Sequence, residues 1–256
     1  MRKLNATALL IAFVLLHGCT TLVPIPEPQS IQRSDNPLDA YARVLHTYVN
    51  ESGEVDFPAL QKQPGDLYYY IAYVAQFPAS SISNPNVRLA HYINSYNALS
   101  MYNVLASNIP KTHEGWAKVR FFYLRDFLIG GKEMSLYSYE NDVIRKLKDP
   151  RVHFALNCSA SGCPILPKIP FSAANLYQAL DRETRKFFSE NRNLRIDHSL
   201  KTVYLSELLD FYTDDFISKE TPSLIAYVNL YSREKIPKDY VIDFIPYDWN
   251  VANSAR

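Results

Sequence analysis

Apolar residues recur at helical spacing in several segments of the chain. The clearest segment follows Asn36, a residue typical of helix caps, and Pro37, which is favoured in a first helical turn. It predicts a helix over about residues 37–49. The same spacing predicts a helix that begins near Asp66 and a longer one over residues 86–107. Later helices are expected in "SLYSYENDVIRKLKD", in "PSLIAYVNLY" and in "SAANLYQALDRETRKFFSE", with Ser172 as its cap.

Other segments alternate between polar and apolar residues or carry turn signals between apolar arms. Hairpins are predicted in "VRFFYLRDFLIGGKEMSL", around Gly130 and Gly131, and in "LRIDHSLKTVYLS". Residues 151–157 alternate as a strand does, and the closing "DYVIDFIPYDWNVAN" is also strand-like. Because helices and short strands interleave without a regular strand–helix–strand order, we expect a single α+β domain over residues 37–256.

The first residues have the pattern of an export signal. Arg2 and Lys3 precede an apolar run, and small Gly18 precedes Cys19. The sequence "LHGC" resembles a bacterial lipoprotein box, which implies a signal peptide over residues 1–18 and a lipid on Cys19 that binds the chain to the membrane. By the same resemblance, Thr20 after the cysteine favours the outer membrane, with the protein facing the periplasm. The alternative is an ordinary cleaved signal, with Cys19 left as a thiol.

Residues 19–36 are rich in proline and small polar side chains, so an extended tether is expected there. The formal net charge is +1, and it becomes −1 if Arg2 and Lys3 are removed with the signal. Nucleic-acid binding is not expected, because phosphate recognition usually leaves a clear excess of basic residues. The chain also lacks the common nucleotide, zinc-protease and nucleophile-elbow motifs, so no cofactor is predicted.

The stretch "RVHFALNCSASGCP" concentrates the reactive residues. On a strand, His153 would lie on a polar face opposite Val152 and Phe154, and Cys158 would be about 16 Å away at 3.3 Å per residue. Cys163 is the better partner for His153, because "SASG" can reverse the chain. A thiolate beside an imidazole is typical of acyl-transfer or amide-hydrolysis chemistry.

Two other roles for these cysteines stay open. Export delivers a chain to an oxidising compartment, so Cys158 and Cys163 are also candidates for a disulfide, and buried free thiols are the third possibility. Zinc is not predicted, because His153 and the two cysteines supply only three ligands, without the usual cysteine spacing.

A second group of polar residues lies in "HYINSYNALSMYNVL". Helical spacing puts Asn94 and Asn97 in an otherwise apolar stripe. They could bind a ligand or orient a catalytic imidazole, or they could fix the helix to neighbouring backbone. Arg151 and Asp248 are candidates for an anion or a proton in the same cleft, and a local ion pair is the simpler alternative for each.

With these residues identified, the chain resembles domain-of-unknown-function family 547. The central block "GKEMSLYSYENDVIRKLKDPRVHFALNCSASGCPIL" carries most of the resemblance, with "YINSYNAL", "LSELLDFYTDDF" and "PYDWNVAN" in support. Tyr92 stands where the family commonly has Trp, and Asn141 where it frequently has His. The resemblance marks as family-type positions Asn94, Tyr96, Asn97, Arg151, His153, Cys158, Cys163 and Asp248.

Two functional hypotheses follow from these residues. The first is an envelope binding or accessory module, in which the cysteines are joined and Tyr96, Asn97, Arg151 and Asp248 line a pocket for an unknown ligand or protein. The second is a thiol-dependent hydrolase or acyltransferase. There Cys163 is the nucleophile, His153 the base, and Asn94 the residue that orients the base.

Overall fold

A computed structural model describes residues 20–26 and 36–255 of the chain. Its helices are α1 Pro37–Tyr48, α2 Phe57–Lys62, α3 Gly65–Gln76, α4 Pro85–Ala106, α5 Trp116–Phe122, α6 Leu136–Ser138, α7 Leu176–Phe188, α8 Glu207–Phe211, α9 Thr213–Phe216 and α10 Leu224–Tyr231. Its strands are β1 Thr21–Leu22, β2 Arg125–Ile129, β3 Lys132–Ser135, β4 Leu194–Asp197, β5 Thr202–Ser206 and β6 Val241–Ile245. The predicted α+β class is confirmed.

Helix α4 forms the centre of the larger hydrophobic core. Its residues are buried continuously over 89–105, on every side of the helix, which is typical of a helix surrounded by other elements. Helix α3 packs against α4, helix α1 packs against α3, and the predicted positions of α1 and α3 are confirmed. In α1, the Asn36 side chain accepts a hydrogen bond from the Leu38 N–H and Pro37 occupies the first turn, as the sequence predicts.

The first sheet has the order β1-β2-β3 and contains one of the predicted hairpins. Strands β2 and β3 pair antiparallel across Gly130 and Gly131, both of which have positive φ. The preceding "VRFF" belongs to helix α5 instead of an apolar arm. In the second sheet, β4 and β5 form the other predicted hairpin, and β6 adds parallel to β5.

Part of the segment predicted to be a tether is packed against the domain. Strand β1 pairs parallel with β2, and Val23 is only 6% exposed. The Tyr102 hydroxyl also donates a hydrogen bond to the Pro24 carbonyl. The expectation of an extended tether over all of residues 19–36 is therefore wrong for residues 21–24. Cys19 and the predicted signal lie outside the described residues.

The predicted strand over residues 151–157 is wrong. Residues Pro150–Phe154 form a 3₁₀ helix, capped by the Asp149 side chain, which accepts the Arg151 N–H. Val152 enters the larger core, while Phe154 enters a second core built around β5, α7 and α10. The alternation in the sequence thus reflects two separate cores instead of the two faces of a strand, because the cap and Pro150 favour a helical turn here.

Two other helices differ from prediction in detail. Helix α7 begins at Leu176 after Asn175, and Ser172 donates to the Asn175 side chain without capping the helix itself. The helix predicted from "SLYSYENDVIRKLKD" is divided into α6, a π-helical segment Tyr139–Ile144 and a 3₁₀ turn Arg145–Leu147. Such π segments are often found at functional sites. Within the described ranges, every helix is too short or too polar to cross a membrane.

Candidate functional site

The loop that carries both cysteines is held in a tight reversal by hydrogen bonds. The Asn157 side chain accepts the Ser159 N–H and donates to the Pro164 carbonyl, so it spans the loop. The C-terminal segment binds the other side, where the Asp248 carbonyl accepts the Gly162 N–H at 2.7 Å. Gly162 is needed at this contact, since a Cβ there would lie 2.8 Å from the Asp248 nitrogen.

This reversal brings Cys158 and Cys163 into direct contact. Their Sγ atoms are 2.8 Å apart, compared with about 2.05 Å for a disulfide bond. Among the described residues, both are free and buried thiols. The disulfide considered from the sequence is therefore not formed in this structure. The reversal at "SASG" is present, and it brings Cys163 against Cys158.

Cys163 has the environment of an activated thiol. Its Sγ accepts hydrogen bonds from the Cys158 N–H and the Tyr247 hydroxyl, each at 3.0 Å. Burial opposes ionisation, but these donors, together with the Cys158 S–H and the Ala160 N–H, lower the pKa of the Cys163 thiol below its ordinary value. At neutral pH, the thiolate form of Cys163 is therefore favoured relative to that of an ordinary cysteine.

The two thiols are not equivalent. The pKa of Cys158 is raised well above its ordinary value, first because its S–H is held by the Cys163 sulfur and then because the group is buried. Burial, reinforced by the charges of the two sulfurs, also raises the pKa of Tyr247, so the phenol stays protonated and remains a donor. Cys163 is thus the sulfur on which negative charge is stabilised.

His153 is placed beside this loop by the 3₁₀ helix and is held by an acid that the sequence did not single out. Its Nε2 lies 2.7 Å from an Asp215 carboxylate oxygen, which also accepts a 2.6 Å hydrogen bond from Arg145. Burial opposes ionisation of Asp215, but hydrogen bonds from His153 and Arg145 hold the pKa of its carboxyl well below its usual range. The imidazole also stacks on Tyr212, with ring centroids 4.0 Å apart.

His153 and both cysteines line one cavity of about 60 Å³, which we call the thiol cavity. Its polar lining comprises Tyr96, Glu140, His153, Cys158, Cys163, Tyr212 and Tyr247. Aromatic residues form much of the remaining wall, and Phe211, which is 45% exposed, connects it to the surface. Lys118 lies above the Trp249 ring of the same wall, with its Nζ 3.7 Å from the ring centroid.

Glu140 brings a buried carboxyl group to the thiol cavity. It is 6% exposed, and one of its oxygens accepts a 2.9 Å hydrogen bond from the Tyr96 hydroxyl. Burial, followed by the charge of Glu140, raises the pKa of Tyr96 well above its ordinary value, so this phenol remains a donor. Tyr96, one of the family-type positions, therefore lines the cavity. Glu140 also lines it, although the sequence did not identify Glu140 as a site residue.

The asparagines of α4 make a different set of contacts. The Asn94 side chain donates to the Phe171 carbonyl at 2.8 Å and accepts the Phe171 N–H at 2.9 Å. The Asn97 side chain makes the equivalent pair with the Ala155 carbonyl and the Asn157 N–H. Of the two functions considered for these amides, this geometry matches the fixing of α4 to neighbouring backbone. Asp215, not Asn94, contacts the imidazole.

Arg151 and Asp248 lie apart from the thiol cavity. The Arg151 guanidinium makes ion pairs with Asp149 at 2.6 Å and Asp181 at 2.8 Å, which matches the simpler alternative of a local ion pair. It lines a separate surface cavity of about 440 Å³. The Asp248 side chain is exposed and accepts hydrogen bonds from the backbone and side chain of Asn250. Its contact with the cysteine loop is made by its backbone.

Little in the amino-acid sequence indicates Asp215, Tyr247 or Glu140 as residues of the site. Asp215 is one of several acids in "LSELLDFYTDDF", and Tyr247 is one of nineteen tyrosines, so neither has a distinctive spacing. Glu140 adjoins Asn141, whose departure from the family pattern was the available signal. In the described parts of the chain, no cluster of three or more histidine, cysteine or acidic side chains has the geometry to hold a metal ion.

A comparison with known protein families gives a match over part of the chain. Residues 80–188 match the model of the family "Protein of unknown function, DUF547". The match includes α4, the 3₁₀ helix with His153, and both cysteines, whereas Asp215 and Tyr247 lie C-terminal to it. No curated protein and no solved structure matches the chain.

Proposed function

We propose that this protein is a thiol-dependent hydrolase or acyltransferase of the bacterial cell envelope, with Cys163 as its nucleophile. The observation that carries the proposal is the position of Cys163 and His153 on one cavity, with the thiol pKa lowered by donors on its sulfur. Nucleophile activation of this kind is the usual requirement for cysteine catalysis.

Asp215 gives His153 a defined role in this mechanism. An ionised carboxylate beside Nε2 favours the tautomer with its proton on Nε2, which leaves Nδ1 to exchange protons. Arg145 keeps that carboxylate charged and in place. We therefore assign Asp215 as the positioning residue of the imidazole.

The proposed reaction has two balanced steps. His153 first takes the proton of the Cys163 thiol at Nδ1, and the resulting thiolate adds to a carbonyl carbon. The leaving group then departs with that proton, which leaves a thioester on Cys163. His153 then takes a proton from water or from an acceptor alcohol or amine, whose oxygen or nitrogen displaces Cys163 from the acyl group. Hydrolysis and acyl transfer differ only in which of these acceptors reaches the thioester.

The size of the thiol cavity indicates the acyl group. At about 60 Å³ it is well below the roughly 150 Å³ of a cavity that holds benzene. An acetyl-sized group fits this volume, whereas an aromatic or long-chain acyl group requires the wall at Phe211 and Trp249 to move. We therefore propose small acyl groups as substrates.

Mass spectrometry after incubation with p-nitrophenyl acetate tests the proposal. We expect one acetyl group on Cys163, with no adduct in Cys163→Ser and slower formation in His153→Gln and Asp215→Asn. Asp214→Asn is the matched control, because Asp214 is the exposed neighbour of Asp215. An acetylation rate that is equal in the wild type and His153→Gln, or an adduct located elsewhere, would refute this assignment.

The membrane location is a separate part of the proposal and is supported by the sequence around Cys19. A lipid on Cys19 would lie only two residues from strand β1, so the domain would be held close to the membrane surface. Cys19→Ser should release the protein into the soluble periplasmic fraction. Thr20→Asp should leave it anchored but move it from the outer to the inner membrane. Membrane retention of Cys19→Ser would show that the anchor is wrong.

A second candidate function, a binding module, is supported by an apolar cavity of about 240 Å³ on another side of α4. Tyr73, Phe77 and His91 line it, and Asn94 contributes to its wall. A cavity of this size and composition fits a small aromatic ligand. Indole should raise the melting temperature of the wild type, and Ala90→Leu, which fills the cavity, should remove that rise. An unchanged melting temperature in the wild type would exclude this candidate.

A further inference from the structure

We propose that Cys158 and Cys163 form a peroxide-reactive dithiol, in which a small hydroperoxide oxidises Cys163 and Cys158 then closes a reversible disulfide. This activity goes beyond acyl chemistry and does not depend on it, since it requires neither an acyl substrate nor His153. It concerns the same sulfur, so oxidation would also remove the proposed nucleophile.

The first support is the distance between the sulfurs. The Sγ atoms are already in contact at 2.8 Å, so little movement separates the dithiol from a bonded pair. The reversal that holds them is fixed by hydrogen bonds of Asn157 within the loop and of Gly162 to the C-terminal segment. A preorganised pair of this kind favours ring closure over reaction with an external thiol.

The second support is the unequal environment of the two sulfurs. Cys163 accepts hydrogen bonds from the Tyr247 hydroxyl and the Cys158 N–H, whereas Tyr247 lies farther from Cys158, at 3.6 Å. Thiolate character and a neighbouring resolving cysteine are the usual features of thiols that respond to peroxide. The contacts therefore assign Cys163 as the attacking sulfur and Cys158 as the resolving one.

The third support is the volume beside Cys163. The thiol cavity of about 60 Å³ exceeds the roughly 10–15 Å³ that one water molecule requires, so a molecule as small as hydrogen peroxide fits in it. The phenols of Tyr96, Tyr212 and Tyr247 line this cavity, and their oxygens can accept hydrogen bonds from the two O–H groups of hydrogen peroxide. Larger disulfide-containing oxidants would not fit without opening the wall.

The reaction balances as two steps. The Cys163 thiolate attacks one peroxide oxygen and breaks the O–O bond, which gives a sulfenic acid and a hydroxide that takes a proton to become water. The Cys158 sulfur then attacks the Cys163 sulfur, forms the S–S bond and releases a second water. The two thiols lose two electrons and hydrogen peroxide gains them. An external dithiol, such as dithiothreitol, reverses the change by thiol–disulfide exchange.

The full chain in detergent, treated with hydrogen peroxide and digested without reductant, provides the test. We expect a Cys158–Cys163 cross-link that is lost on treatment with dithiothreitol. Its formation should be at least about tenfold faster in the folded chain than in the urea-unfolded chain. In Cys158→Ser, a 1,3-dicarbonyl probe should instead trap a sulfenic acid on Cys163. In Cys163→Ser, both products should be absent.

The outcomes separate this inference from the proposed acyl chemistry. Oxidation of Cys163 to the sulfinic acid while Cys158 stays reduced would overturn the dithiol, as would equal rates in folded and unfolded chains. Acetylation of Cys163 could still be observed in either case. Conversely, a rapid and reversible cross-link in a protein that never accepts an acetyl group would support the dithiol and refute the acyl enzyme. His153→Gln is the matched variant, because it should slow acetylation and leave cross-linking intact.

Discussion

Helix α4 and the cysteine loop both bury polar side chains, but they use them in opposite ways. On α4, Asn94 and Asn97 each donate to a backbone carbonyl and accept a backbone N–H. In the loop, Cys163 collects donors on a single sulfur that also lines a cavity. Residue type alone does not distinguish a structural polar group from a reactive one. The distinction lies in the hydrogen-bond partners. On α4 they satisfy the donors and acceptors of the amides, whereas in the loop they stabilise a negative charge on Cys163.

The largest effect that tests this comparison is expected at Asn97. Asn97→Ala would leave the Ala155 carbonyl and the Asn157 N–H without their partner in a buried site. We expect a loss of about 3 kcal/mol in the free energy of unfolding, since an unsatisfied buried group costs about 1–3 kcal/mol. Urea denaturation followed by circular dichroism would measure it.

Asn86→Ala is the control on the same helix, at a half-buried position in the first turn. Its effect should stay within about 0.5 kcal/mol, as is usual for such positions. Equal urea midpoints for the Asn97 and Asn86 variants would mean that the amides of α4 are not the structural ties we infer.

The elements that the sequence predicted are those with local causes. Helix α1 follows from its Asn36 cap and apolar spacing, and the hairpin of β2 and β3 from its two glycines. Strand β1 could not be predicted in this way, because its partner β2 lies more than 100 residues along the chain. The strand predicted over residues 151–157 is wrong for a related reason. Val152 and Phe154 pack into two different cores, which only the tertiary structure creates.

The site was predictable to a similar extent. The stretch "RVHFALNCSASGCP" indicated His153 and the two cysteines, because residues of rare types lie close together in it. Asp215 contacts His153, and Tyr247 contacts Cys163, from 62 and 84 residues farther along the chain, in segments where acids and tyrosines are common. Their recruitment depends on how α9 and the C-terminal segment pack, which local patterns do not record.

His91 is an exception among the polar groups of α4, and it sharpens the comparison. Within the described residues, its Nε2 is buried without a hydrogen bond, and burial lowers the pKa of His91 to about 4. In the unfolded chain the pKa of His91 is about 6.5. Between this pH and about pH 4, His91 therefore takes up a proton in the unfolded chain but not in the folded chain. Stability should fall as the pH drops through this window, by about 3 kcal/mol for this group.

Thermal denaturation between pH 7 and pH 4 would show this effect. His91→Leu should change stability little at pH 7 and flatten the pH dependence, although His113, whose pKa burial also lowers to about 4, should retain part of it. His46→Leu is the control, because His46 is exposed at the end of α1. A steep pH dependence that persists unchanged in His91→Leu would contradict the assignment.

A substitution of Tyr247 tests the comparison at the cysteine loop. Tyr247→Phe removes a 3.0 Å hydrogen bond to Cys163 and should raise the pKa of the thiol. We expect iodoacetamide to label Cys163 about tenfold more slowly at pH 7, given the strength of hydrogen bonds to charged groups, with the difference disappearing at high pH. Tyr177→Phe, at an exposed tyrosine, should leave the pH profile unchanged. Identical profiles for both variants would remove Tyr247 from the activation of Cys163.

The smallest effect is expected at Asp248, where side chain and backbone have separate functions. Its carbonyl accepts the Gly162 N–H of the cysteine loop, whereas its exposed carboxylate contacts only its neighbour Asn250 among the described hydrogen bonds. Asp248→Ala should therefore change the free energy of unfolding by less than about 0.5 kcal/mol and leave Cys163 labelling at the wild-type rate. Gly162→Ala, which alters the same contact from the backbone side, should disturb both. A loss of Cys163 labelling in Asp248→Ala would show that the Asp248 carboxylate contributes to the site, which is one of the alternatives that the sequence allows.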